Sequence, residues 1–167
     1  MIIIALFILG LITRLIPHLP NFTPIVAIAL FSGAYLNKKY GLWLAVSLYI
    51  ASDLIIGLHG MVLFTWSSVL LISLIGRRMH EKKLTSLLGY TVASSLLFFV
   101  LTNFGAWLSG WYPITLEGFF QCYRNALPFF RSSLAANLLY VGVLFGVYEF
   151  FSYRVKAKNL AQVLLLR

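Results

Sequence analysis

The chain has 167 residues, 61% hydrophobic and 10% charged, with a formal charge of +9 and a mean hydropathy of +0.93. A soluble domain carries roughly a quarter charged residues, so an ordinary water-facing surface is excluded. The basic residues fall at the ends of apolar runs, a pattern that fits a bilayer rather than nucleic acid.

Residues Met1 to Ile12 are apolar, with no basic leader and no small-residue cleavage site, so the segment reads as a retained first helix, 2–16, rather than a signal peptide. Thr23-Pro24 opens a short second helix, 24–37, because threonine caps well and proline suits the first helical position. Helices at 41–58 and 61–76 are joined by Gly57-Leu58-His59-Gly60, which admits only a tight turn between antiparallel neighbours. A fifth helix runs 86–108. The stretch 109–132 then reads as an outer loop, with Thr115 capping a short amphipathic helix that ends before Pro128. Leu116, Phe119, Phe120, Tyr123 and Leu127 share its apolar face, with Glu117, Gln121 and Arg124 opposite. Such a segment lies on the membrane or closes over a pocket. The sixth helix is expected at 133–153.

Crossing about 30 Å of hydrocarbon takes roughly 20 residues, fewer where the bilayer thins. The sequence therefore predicts one all-α integral membrane domain over 1–167, with about six transmembrane helices. Orientation follows from the basic residues. With the N-terminus inside, the inner segments hold Lys38, Lys39, Arg77, Arg78, Lys82, Lys83, Arg154, Lys156, Lys158 and Arg167, and the loop around His80 is cytoplasmic. The outer side keeps Arg14, Arg124 and Arg131, so both termini are expected in the cytoplasm.

Polar residues are costly in hydrocarbon, so their depth carries information. Arg14 lies near the outer end of helix one, with His18 and Asn21 just beyond. Asp53 and His59 lie toward the outer end of helix three, Asn103 and Trp107 in the outer half of helix five, and Asn137 in the outer part of helix six. One reading is an outward-facing pocket; the other is a structural Arg14–Asp53 pair with asparagines tying helices together. The start of helix two, with Arg14, Arg124 and Arg131, suits an anionic or hydrogen-bond-accepting group. Trp66, Phe104, Trp107, Trp111, Tyr112 and Tyr123 are candidate flat walls.

Chemistry is poorly served. The acids are Asp53, Glu81, Glu117 and Glu149, and neither Glu81 nor Glu149 is placed to meet Asp53, which argues against a carboxylate pair or a polycarboxylate metal site. The single Cys122 excludes an intrachain disulfide. There is no serine-nucleophile elbow, no zinc-protease helix motif and no phosphate-binding glycine loop. The expectation is no enzyme, no catalytic residue, no metal and no cofactor; a thiol enzyme built on Cys122 is a distant rival.

Arg14-Leu15-Ile16-Pro17-His18, Asn21-Phe22-Thr23-Pro24, Ser52-Asp53-Leu54, Gly57-Leu58-His59, Thr102-Asn103-Phe104-Gly105 and Asn137-Leu138-Leu139-Tyr140, with Trp107 and Cys122-Tyr123, resemble an uncharacterised family of bacterial transport proteins over about residues 12–146. That family in turn resembles the S components of energy-coupling-factor transporters. The resemblance implies six helices, both termini inside, location in the bacterial inner membrane, and a pocket near the outer face for a small polar or anionic micronutrient. Arg14, Asn21, Asp53, His59, Asn103, Trp107, Tyr123 and Asn137 are then the expected substrate-binding residues. Lipid and an energising ATPase module with its transmembrane coupling subunit are the implied partners, and no nucleic acid. Many S components carry small residues four apart on helix one for docking; here Ala5 and Gly10 stand five apart. The rival from another class is a non-transporting scaffold subunit of a cell-envelope complex.

Overall fold

The computed structural model describes residues 2–17, 19, 21–79 and 83–157. His18, His80, Glu81, Lys82, Lys158 and Arg167, named above, lie outside them. The described chain is all-α: α1 (Ile2–Leu15), α2 (Ile25–Tyr35), α3 (Lys38–Ile56), α4 (Val62–Arg77), α5 (Leu84–Leu108) and α6 (Leu116–Ala157). Two of them, α5 and α6, are long and apolar enough to cross a membrane.

The helix α2 is the axle of the bundle. It is 11 residues long, about 16 Å of rise, and every residue from Ile25 to Gly33 is buried. A helix that is apolar all round must be enclosed, and α2 touches each of the other five. Its closest partner is α4. A Cβ on Gly33 would run into the Ser73 carbonyl, and one on Gly76 into the Leu30 carbonyl. Glycine at both points lets the two backbones meet directly. Against the other flank, Phe31 and Tyr35 pack on Phe145 and Tyr148 of α6, and the Tyr35 hydroxyl donates to Glu149.

Polarity is inverted relative to a water-soluble bundle. Serines and threonines such as Ser52, Thr65, Ser73, Thr91 and Ser95 are buried. Their hydroxyls mostly bond carbonyls of their own helix, as in Thr91 to Leu87 at 2.7 Å and Ser95 to Thr91 at 2.8 Å. Outward-facing positions are instead large and apolar: Leu63 and Leu84 are each 72% exposed, with Leu54, Ile55, Phe150 and Phe151 similarly bare.

Two expectations are corrected. Thr23 does not cap α2: Pro24 is the N-cap, with no side-chain cap bond. The outer loop 109–132 and the separate sixth helix at 133–153 are replaced by one 42-residue helix with Pro128 inside it. Thr115 does cap its start, its Oγ1 accepting from the Gly118 N–H at 3.1 Å. Pro128 removes one backbone donor, but ending the helix among apolar neighbours would strand several. Continuation is the cheaper choice. The connector between α5 and α6 shrinks to 109–115.

Candidate functional site

The antiparallel order brings the last turns of α1, α3 and α5 and the first turns of α2 and α4 to one end of the bundle, with the first half of α6 alongside α5. Contacts pair Trp107 with Phe119, Phe99 with Phe130, and Ser95 with Asn137. At this end lie two adjoining chambers, of about 470 and 210 Å³. Asn21, Tyr49, Phe98 and Ser133 border both, so they form one bilobed cavity.

Beneath it is a fixed polar knot. The Arg14 Nη2 donates to Asp53 Oδ1 at 2.8 Å, and the Trp66 indole N–H donates to Asp53 Oδ2, also at 2.8 Å. The Asp53 side chain is only 2% exposed, so both oxygens need these partners. The guanidinium also lies over the Tyr49 ring, 3.7 Å from its centroid. The His59 Nε2 stands 3.9 Å from Asp53 Oδ2, while its Nδ1 accepts from the Met61 N–H at 3.3 Å. That bond leaves the ring's other nitrogen to carry the proton and face the carboxylate.

The expected site residues divide three ways. Asn21, His59 and Asn103 border the larger chamber, and Arg14, Asn21 and Asn137 the smaller. Asp53 borders neither; it holds Arg14 from behind. Trp107 and Tyr123 also stand outside the lining, their polar atoms spent on the carbonyls of Pro113 (3.0 Å) and Val100 (2.8 Å). Trp66, expected as a flat wall, is a hydrogen-bond donor to Asp53 instead. Arg124 and Arg131 are exposed and border neither chamber. Asn137 lies deeper than expected: its Nδ2 donates to Ser95 Oγ at 2.9 Å, about 20 Å of helix rise from the end of α5.

The walls hold residues that sequence reasoning passed over. Tyr49 borders both lobes, and Phe98, Phe99, Phe129 and Phe130 panel the larger one. In a chain with 14 phenylalanines and 9 tyrosines, such residues are indistinguishable from core without coordinates. The first half of α6 brings Cys122, Asn125 and Ala126 to the chamber wall; Trp111 and Tyr112, expected as flat walls, are the connector's contribution. The Cys122 thiol is buried and donates to the Asn103 carbonyl at 3.4 Å. Among the described residues no group of three or more His, Cys, Asp or Glu side chains is arranged to hold a metal ion.

Residues 1–160 match the model of a family described as "Family of unknown function (DUF6580)", and the chain belongs to that family. No curated protein and no solved structure matches it.

Proposed function

We propose that this member of DUF6580 is a solute-binding membrane transport protein of six transmembrane helices, with both ends cytoplasmic, and that it takes up a small polar micronutrient through the bilobed cavity. The observation that carries the reading is the cavity itself. A chamber of about 470 Å³ falls within the usual range for small-molecule sites, and it mixes aromatic walls with a few polar groups as such sites do. Its surroundings support a bilayer: apolar side chains face out and hydroxyls face in. The short α2 does not count against six spans, since a helix wrapped by the other five need not match the hydrocarbon thickness. Charge agrees with an outward cavity. Arg77, Lys83 and Arg154 gather at the opposite ends of α4, α5 and α6, the side that would be cytoplasmic.

The resemblance to S components adds an energising module as a partner, but the small residues of helix one do not offer a docking face. Gly10 is buried against Leu48 and Ile28, whereas Ala5 is exposed. The rival reading, a scaffold subunit, has one observation in its favour: Gly142 and Gly146, one turn apart on α6, have open space where a Cβ would stand, a seam for a foreign helix. An enzyme is not proposed, because the lone thiol is buried and donates to the Asn103 carbonyl.

Native mass spectrometry of protein gently extracted from its membrane separates the two. Transport predicts a co-purifying small molecule that is lost from Phe99→Ala and Asn103→Ala. A scaffold predicts an empty chain and a stable protein partner instead.

A further inference from the structure

We infer that the solute is uncharged and planar, with amide-like hydrogen-bonding edges. The inference rests on the reading above and narrows it.

Charge is the first argument. Among the described residues no Asp, Glu, Lys or Arg borders the larger chamber, and His59, which does, faces Asp53. The one guanidinium beside the smaller chamber, Arg14, already faces a carboxylate at 2.8 Å, so the pair adds no net charge. Arg124 and Arg131, the other cations at this end, border neither lobe. An ion entering this space would leave water without meeting a free counter-charge, and buried charge is tolerated only when paired. The Arg14 Nη1 is buried with no hydrogen-bond partner among the described residues, so a neutral acceptor such as a carbonyl oxygen can use it while the pair with Asp53 stays intact.

The polar groups on the walls then describe the partner. Three carboxamides border the larger chamber: Asn21, Asn103 and Asn125. The Asn103 Nδ2 is used, donating to the Phe99 carbonyl at 2.7 Å, which leaves its Oδ1 as an acceptor. The side chains of Asn21 and Asn125 have no hydrogen-bond partner among the described residues. A carboxamide sets a donor beside an acceptor, which matches the edge of a lactam, an amide or an amino-substituted ring nitrogen.

Shape follows from the aromatic groups. Phe98, Phe99, Phe129 and Phe130 share the wall with those amides, and aromatic faces favour flat π-systems over saturated ones. A sugar would satisfy the amides and could rest one C–H face on a ring, but its hydroxyl rim would meet the other phenyl rings. An acyl chain would suit the rings but leave the amides unpaired. A two-ring heterocycle satisfies both.

The test uses three probes with the full chain in nanodiscs at neutral pH: quinoline-3-carboxamide, quinoline-3-carboxylate with the same frame and a negative charge, and cyclohexanecarboxamide with the same amide and no plane. The expected result is that the first binds at least tenfold more tightly than either of the others. Asn103→Leu is expected to weaken it about tenfold. Asn125 is exposed at the rim, so Asn125→Leu keeps the question open should the buried-side variant fail to fold. Equal or tighter binding of the carboxylate or of the saturated ring overturns the inference while leaving the cavity as a solute site. Absence of binding by all three also overturns it. The solute reading is judged separately: a charged or non-planar molecule co-purifying with the wild-type chain upholds the cavity and ends this inference alone.

Discussion

Arg14 and Asp53 stand 39 residues apart in sequence and 2.8 Å apart in the fold. Their bond joins α1 to α3, and Trp66 extends it to α4 through the second carboxylate oxygen. Helix α1 touches only α2 and α3, so this buried pair is a principal tie holding it to the bundle.

Breaking the pair from one side is therefore expected to damage the fold more than the site. Asp53→Asn leaves a guanidinium buried and unmatched, a loss of about 3–5 kcal/mol for a pair of this kind. Unfolding in mixed micelles measures it. The double variant Asp53→Asn with Arg14→Gln removes both charges and is expected to recover at least half of the loss. A single variant as stable as the wild type would remove the pair from any structural role.

Trp66 gives a second handle on the same knot. Trp66→Phe keeps an aromatic ring, though a smaller one, and withdraws the donor from Asp53 Oδ2; hydrogen bonds to charged groups contribute about 1.5–3 kcal/mol. The same unfolding assay applies. Since Trp66 does not border the cavity, probe affinity is expected to change less than threefold, and a larger change would show that Asp53 positions Arg14 for the solute.

The glycines divide into those that carry close packing and those that do not. Gly33→Ala and Gly76→Ala each drive a methyl group into a carbonyl of the facing backbone. Each is expected to cost about 1–3 kcal/mol, as overpacking does. Gly142→Ala and Gly146→Ala meet nothing among the described residues, and better helix propensity should leave them neutral or up to about 1 kcal/mol more stable. If these two also weaken the protein when it is embedded in its own membrane, a partner helix occupies that face.

Topology is testable with single cysteines placed in a Cys122→Ala background. Ile114→Cys, at a position 65% exposed beside the cavity, should react with an impermeant maleimide in intact cells. Leu84→Cys, exposed at the opposite end, should react only after permeabilisation. The reverse pattern would turn the cavity inward. Native Cys122 is expected to stay unlabelled from either side until the protein unfolds, being 1% exposed.

The helices were legible because apolar runs and turn residues mark them independently of tertiary contacts, and the ends of α1, α4 and α5 fall within two residues of expectation. Pro128 was the exception. Its local rule, that proline ends a helix, was overridden by the cost of exposing backbone among apolar neighbours. At the site, depth along each helix was enough to bring Arg14 and Asp53 together. Depth says nothing about rotation, however, and rotation decides that Trp107 and Tyr123 turn their polar atoms to backbone carbonyls while Asn103 borders the chamber. The aromatic panelling had no signature at all. In a chain this apolar, a phenylalanine facing a cavity and one facing a neighbour differ only in what is absent beside them.

The total enclosure of α2 has a consequence for how the protein is made. An 11-residue helix, about 16 Å long, is a poor candidate for release into lipid on its own, and the neighbours that wrap it lie largely downstream in the chain. On the membrane reading proposed above, α2 would wait at the insertion machinery until α3 and α4 emerge, because only then does Gly76 arrive to receive the Leu30 backbone. The first four helices would thus enter as a group rather than one by one. A nascent chain stopped before Val62 would hold an unsheltered α2, a natural target for membrane quality control.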